Sequence, residues 1–113
     1  YDAFSSLSIV EMSKIWLRDD SVKCVHPGWS LLRGWPDVMR SWEDIFDNAT
    51  MMQFSITDDE IVVGENHAWV TCTEHITSVG DGRVSEGRVQ ATNVYRLEDG
   101  LWMMVHHHGS PVM

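Results

Sequence analysis

Glu74 closes the run Trp69-Val70-Thr71-Cys72-Thr73-Glu74, inside a stretch whose β-branched and aromatic residues predict a long strand. A carboxylate there is partly desolvated, and desolvation raises a carboxyl pKa. A base poised nearer neutral pH is what proton abstraction next to a carbonyl needs. A salt bridge from Glu74 to Arg88 or Arg96 on the next strand is the structural alternative, left open by the sequence. Asn93 and Tyr95 share one face of a second predicted strand. Asn93 needs partners if buried and can donate to a ligand oxygen or to Glu74; Tyr95 is a second donor. The run His106-His107-His108 continues a strand pattern that begins at Trp102. Alternation puts His106 and His108 on one face and His107 on the other. Two His spaced this way could share a metal, but catalytic zinc usually takes three protein ligands and the sequence offers no third beside them. They are read as structural, and no metal or cofactor is called for. With no Gly-rich phosphate loop and no Ser in a nucleophile elbow, nucleotide hydrolysis and covalent catalysis are set aside.

The elements that must position these residues fall into two blocks. Ser8-Ile9-Val10-Glu11 has the form of a capping box, and Ile9, Met12, Ile15 and Trp16 follow at helical spacing until Asp19-Asp20-Ser21. Phe4 and Leu7 belong to a preceding helical segment. Val22 to Val25 reads as a short strand entering the turn His26-Pro27-Gly28-Trp29. A second helix follows Gly34-Trp35, with Pro36 in its first turn and Asp37 at the positive end of its dipole. Val38, Trp42, Ile45 and Phe46 form its apolar stripe. Beyond Asn48 the period becomes two: Met51 to Ile56 is a strand, with Ile61 to Val63 its continuation or a short partner. His67–Val79, Arg83–Leu97 and Leu101–His108 are strands joined by turns at Gly80-Asp81-Gly82 and Asp99-Gly100. Helices before an antiparallel meander give an α+β domain, and strands this long must curl into a cone-shaped sheet around the helices.

Composition agrees with one globular domain, residues 1–113, of ordinary apolar and charged content. The net charge of −9 repels phosphate backbones and anionic lipid, so neither nucleic acid nor a membrane surface is expected as partner. No apolar run approaches the length of a membrane span. Two cysteines, Cys24 and Cys72, read as free buried thiols of a reducing, cytoplasmic compartment rather than as a bridge. Asn48-Ala49-Thr50 is a formal glycosylation triplet that matters only in a secreted protein. No Met precedes Tyr1, which already lies in an apolar pattern, so a longer parent chain is expected.

Five segments then carry a resemblance: Cys24–Trp29, Ser41–Phe46, Ala68–Glu74, Ala91–Trp102 and Met104–Val112. Together, and in this order, they resemble the SnoaL-like branch of the nuclear transport factor 2-like superfamily, over nearly the whole chain. The last two also resemble the association domain of calcium/calmodulin-dependent kinase II. The resemblance implies a cystatin-like cone with a small-molecule pocket. It is compatible with isomerase, cyclase or lyase chemistry, and equally with a non-enzymatic oligomerisation or ligand-sensing module. It implies that His26 and Trp29 sit near the cavity mouth and that His107 and Gly109 face inward. It also implies that Glu74, Asn93 and Gly109 occupy positions where the kinase domain has pocket arginines, which leaves this pocket neutral to acidic.

The expected site follows from parity. Glu74 lies with Cys72, Asn93 with Ala91 and Tyr95, and His107 with Val105, all converging on one cavity walled by Trp29, Trp42 and other apolar residues of the Pro36–Phe46 helix. Glu74 is then the base, with His107, Tyr95 and Asn93 as acid or oxyanion donors. The opposite parity puts Thr73, His75, His106 and His108 inside instead. Trp16, Trp42 and Trp102 are expected to fill the core. The outer sheet face, carrying His106 and His108, is a natural two-fold surface, and a homodimer is expected.

Overall fold

Asp81-Gly82 and Asp99-Gly100 all take positive φ, between 50° and 80°, the backbone of two-residue hairpin turns whose twist matches that of the paired strands. They join three long strands, β4 (His67–Gly80), β5 (Arg83–Glu98) and β6 (Leu101–Pro111), into consecutive antiparallel pairs. The computed structural model describes residues 1–112. Ahead of these strands come α1 (Asp2–Ser5), α2 (Ile9–Ile15), β1 (Lys23–Val25), β2 (Leu32–Arg33), α3 (Trp35–Asp47) and β3 (Met51–Val63). The six strands form one curved, unclosed sheet in the order β2-β1-β6-β5-β4-β3.

The helices start and stop for local reasons. The Ser8 hydroxyl accepts from the Glu11 amide at α2, and Leu7 just before the cap packs into the same core as Met12, four residues into the helix. The helix ends at Ile15, one turn earlier than the apolar spacing suggests. Trp16 is extended and bridges to Met104 of β6, and the Leu17 amide donates to the Met104 carbonyl. A bond to the sheet edge therefore outcompetes another helical turn. In α3, Gly34 supplies the cap at φ 85° and Pro36 occupies the first turn.

The sheet departs from a pure meander at two places. β1 lies parallel to β6, pairing Cys24 with His107, and the two-residue strand β2 adds an edge that the sequence did not announce. Ile61–Val63 is the continuation of β3, past an irregularity between Thr57 and Glu60 where Asp58 takes φ 54°. β6 runs to Pro111 because Ser110 and Pro111 still pair with Gln90 and Val89.

All three helices lie on one face of the sheet. Phe4, Met12, Val38, Met39, Trp42 and Phe46 pack there with Trp16, Val22 and Cys24. Trp16 and Trp42 are buried as expected, but Trp102 is 42% exposed: it pairs with Leu97 beside the Asp99-Gly100 turn, at the end of the hairpin. Gly80 closes the other end. A Cβ there would stand 2.4 Å from the Asn48 carbonyl oxygen, a backbone atom that cannot swing away. Gly80→Ala is therefore expected to destabilise the fold by about 2–3 kcal/mol, read as a lowered urea midpoint with unchanged slope.

Candidate functional site

Register sets which side chains meet. Across β4, β5 and β6 the buried positions include Cys72 and Glu74, Ala91 and Asn93, and His107, with Cys72 opposite Ala91 and Asn93 opposite His107. The opposite set, Thr73, His75, His106 and His108, is turned to the outer face. A bulge between Val94 and Tyr95 then shifts the pairing, so that Tyr95 stands opposite Met104 rather than Val105. Met104 thereby lines the cavity, where simple alternation had put Val105 with His107.

The cavity measures about 140 Å³. Phe4, Met12, Ile15, Trp42 and Met104 make its apolar wall, and Tyr1, Asn93, Tyr95 and His107 its polar side. Of the residues expected there, Trp42, Asn93, Tyr95 and His107 line it. Glu74 and Cys72 lie one step behind it, separated from it by Tyr1, a residue the sequence reading left out.

The Tyr1 hydroxyl is 2.5 Å from Glu74 Oε2 and 3.3 Å from Cys72 Sγ. It accepts from Asn93 Nδ2 at 3.1 Å, while Asn93 Oδ1 is 2.5 Å from His107 Nδ1. An amide oxygen only accepts, so His107 carries its proton on Nδ1 and donates it to Asn93. Asn93 in turn donates to Tyr1, and Tyr1 donates to the Glu74 carboxylate. With the Tyr1 proton committed, the Cys72 thiol is the donor in its contact. Every donor in this line points toward Glu74. Should Glu74 bind a proton, its O–H would donate back to Tyr1 and the Tyr1 proton would turn to Cys72 Sγ.

The electrostatics follow from burial. Glu74 is 2% exposed, and burial pushes its carboxyl above the ordinary range, partly offset by the Tyr1 bond. The alternative of an arginine salt bridge does not hold: Arg96 pairs with Glu98 at 3.2 Å, and Arg88 stands opposite His75 in the register. Burial, and then the nearby His26, His106 and His108, hold His107 neutral, its pKa lowered to about 3. Its Nδ1–H is spoken for and its Nε2 is unprotonated, so His107 presents an acceptor to the cavity, not the acid or oxyanion donor expected of it. Tyr95 keeps its proton, its pKa raised by burial.

His26 and Trp29 sit elsewhere than at the cavity. His26 is buried, its Nε2 2.8 Å from Ser41 Oγ. Ser41 gives its own proton to the Val38 carbonyl at 2.6 Å, so His26 is the donor and Ser41 is no activated nucleophile. The His26 ring packs edge-on against Trp42 and Trp29. Trp29 is 44% exposed on the far side of His26 and borders a separate surface groove with Ile45 and Met52. The turn at Pro27-Gly28 carries it outward. Cys24 and Cys72 are free and buried, the Cys24 thiol pushed up to about 12 by burial. Native protein should therefore resist a thiol reagent, and two thiols should titrate once it is denatured without reductant. On the outer face, the His106 and His108 rings are 6.1 Å apart. No group of three or more ligating side chains gathers there among the described residues.

Tyr1 was missed because its partners are 71 to 92 residues away in sequence. The signal that could have found it is its spacing of three from Phe4, which places both aromatic rings on one side of the first turn.

The sequence pattern of the SnoaL-like domain matches residues 1–113. Over its full length the chain superposes on a candidate dehydratase of the NTF2-like family from Streptomyces avermitilis, with TM-score 0.93, 38% identity and 88% of that chain covered. It likewise superposes on a candidate calcium/calmodulin-dependent protein kinase type II association domain from Thiobacillus denitrificans, with TM-score 0.88 and 33% identity, covering 100% of this chain and 89% of that one. Among curated proteins it is 31% identical over 102 residues to the F-box protein SKIP8 of Arabidopsis thaliana, a match over 90% of this chain and 42% of that protein. The chain thus spans less than half the length of that relative.

Proposed function

Because this chain belongs to the SnoaL-like domain family, we propose that residues 1–113 form one small-molecule-binding domain that does acid–base chemistry on a small apolar carbonyl compound. The observation that carries the reading is the 2.5 Å contact between a buried carboxyl that no described Lys or Arg side chain pairs with, Glu74, and a hydroxyl that lines an apolar cavity, Tyr1. Glu74 is the terminal base, acting through Tyr1. The Tyr1 oxygen takes a proton from the carbon next to the substrate carbonyl as its own proton passes to Glu74 Oε2. The electron pair of the broken C–H bond moves into an enolate, whose oxygen accepts from Tyr95. Asn93 and His107 hold the Tyr1 hydroxyl in place. Isomerase, cyclase and lyase reactions share this step, and the likeness to a candidate dehydratase favours the lyase branch. The two free thiols fit a cytoplasmic setting, and no helix is long and apolar enough to cross a membrane.

The test is loss of the α-proton signal of 2-cyclohexen-1-one in deuterium oxide, followed by NMR. Wild-type protein should accelerate the exchange, and Glu74→Gln, which keeps the shape and removes the charge, should slow it by about 100-fold or more. Undiminished exchange in Glu74→Gln removes Glu74 as base.

A second reading, a non-enzymatic oligomerisation or ligand-sensing module, is favoured by the association-domain likeness and by one row of side chains on the outer sheet face. Val62, Trp69, Val94 and His106 stand side by side across four strands, with Val62 and Trp69 each 45% exposed. Under either reading this face joins two copies. Light scattering at micromolar concentration should give twice the 12.9 kDa chain mass, and Trp69→Glu should return it to the monomer. A wild-type monomer overturns the dimer.

A further inference from the structure

The cavity is small, and its size narrows the ligand further than its chemistry does. Its volume of about 140 Å³ is close to the roughly 150 Å³ of an engineered apolar cavity that takes up benzene. That volume matches a single six-membered ring and falls short of two fused rings.

The wall also sorts by charge. No described Lys or Arg side chain lines it, and His107 is neutral, so no basic side chain of the wall compensates a ligand carboxylate, and the Glu74 carboxyl lies just behind Tyr1. The polar groups offered to a neutral ligand differ in sense. Tyr95 has a hydroxyl proton that no described residue accepts, and only burial and the neighbouring Cys72 act on it. His107 has an unprotonated Nε2, because Nδ1 is bound to Asn93 Oδ1. One donor and one acceptor on an otherwise apolar surface suit an oxygen that can accept from Tyr95 and, as a hydroxyl or enol, donate to His107.

Resting on the carbonyl-site reading above, we infer that the cavity selects neutral single-ring hydroxy or keto compounds of about six to eight heavy atoms, with Tyr95 and His107 as the pair that recognises the oxygen and Met12 and Met104 as the residues that set the size limit. Methionines at the limit make it adjustable, since their unbranched side chains can be shortened without disturbing a ring packing.

Four probes test this by saturation-transfer NMR and calorimetric titration on the intact chain: phenol, 2-cyclohexen-1-one, 2-naphthol and benzoate. Phenol and 2-cyclohexen-1-one should bind, and 2-naphthol and benzoate should bind at least tenfold more weakly. Tyr95→Phe should weaken phenol about tenfold. Met104→Ala should let 2-naphthol bind, with a thermal scan confirming that the variant is folded. Should that variant not fold, Met12→Ala on α2 answers the same question. If 2-naphthol or benzoate binds wild-type protein as tightly as phenol does, the size and charge selection is overturned while the ligand-site reading stands. Binding of none of the four overturns both.

Discussion

Lowering the pH from 7.5 to 5 should cost this protein on the order of 10 °C in Tm. Two buried histidines cause it. His26 is 3% exposed and His107 4%, and burial lowers their pKa values to about 4 and about 3, against about 6.5 in an unfolded chain. The folded state holds both neutral, so their contribution is complete above pH 6.5 and is lost as the pH falls toward the folded values. At about 1.4 kcal/mol per unit, each costs about 2 kcal/mol at pH 5. Glu74 works the other way: its pKa is raised in the fold, so acid relieves part of its burial cost. Two histidines against one carboxyl leave a net loss, sizeable beside a typical stability of 5–15 kcal/mol. Thermal unfolding followed by circular dichroism at pH 7.5, 6 and 5 reads it directly. His26→Gln keeps an N–H donor for Ser41 and cannot titrate, so it should remove about half of the drop. A Tm constant to within 2 °C would refute the neutral buried pair.

Asn93→Leu should be the most damaging conservative change, at about 3–5 kcal/mol. Among the described residues the amide is the one link between His107 and Tyr1 in the hydrogen-bonded line. Leucine has much the same volume but leaves the His107 Nδ1–H without its acceptor and the Tyr1 oxygen without one of its donors. The orphaned His107 N–H costs about 1–3 kcal/mol, and the lost Asn93 bonds add to this. The diagnostic measurement is a double-mutant cycle in urea. Removing both ends of the pair leaves fewer orphans, so His107→Leu in the Asn93→Leu background should cost much less than His107→Leu alone. Additive costs would mean that the two side chains do not act as one unit.

How far the sequence alone reaches can be judged residue by residue. The Ser8–Glu11 cap and the two Asp-Gly turns are decided within four residues, and their local chemistry names the structure directly. Once the Gly80-Asp81-Gly82 turn is placed, alternation brings Glu74 and Asn93 to one face of the sheet. Counting from the Asp99-Gly100 turn would set His106 opposite Asn93, and the bulge between Val94 and Tyr95 sets His107 there instead. The misses are all decided by partners remote in sequence. Trp16 leaves its helix because Met104, 88 positions later, offers a backbone bond; the β1–β6 pairing is parallel for a comparable reason. The bulge at Tyr95 puts His107 on the same face as Met104, a one-residue effect that no hydrophobic pattern reveals. Trp29 and Trp102 are as apolar as Trp16 and Trp42, but the Pro27-Gly28 turn carries Trp29 outward and Trp102 lies at the end of the hairpin, beyond the helical layer. Tyr1 reaches Glu74 because α1 folds back across the sheet, which sequence spacing cannot express.

β3 ends the sheet, and its far side has no neighbouring strand among the described residues. An open edge of 13 residues that includes Ile61-Val62-Val63 is a template onto which another chain could stack, the first step of fibril growth. The kink at Asp58, flanked by Asp59 and Glu60, interrupts that template midway. It bends the edge out of line and places three carboxylates where an incoming strand would have to bond. Read this way, the irregularity guards solubility, and a straightened, neutral edge made by replacing Asp58, Asp59 and Glu60 with Thr would be the variant to watch for fibrils on storage.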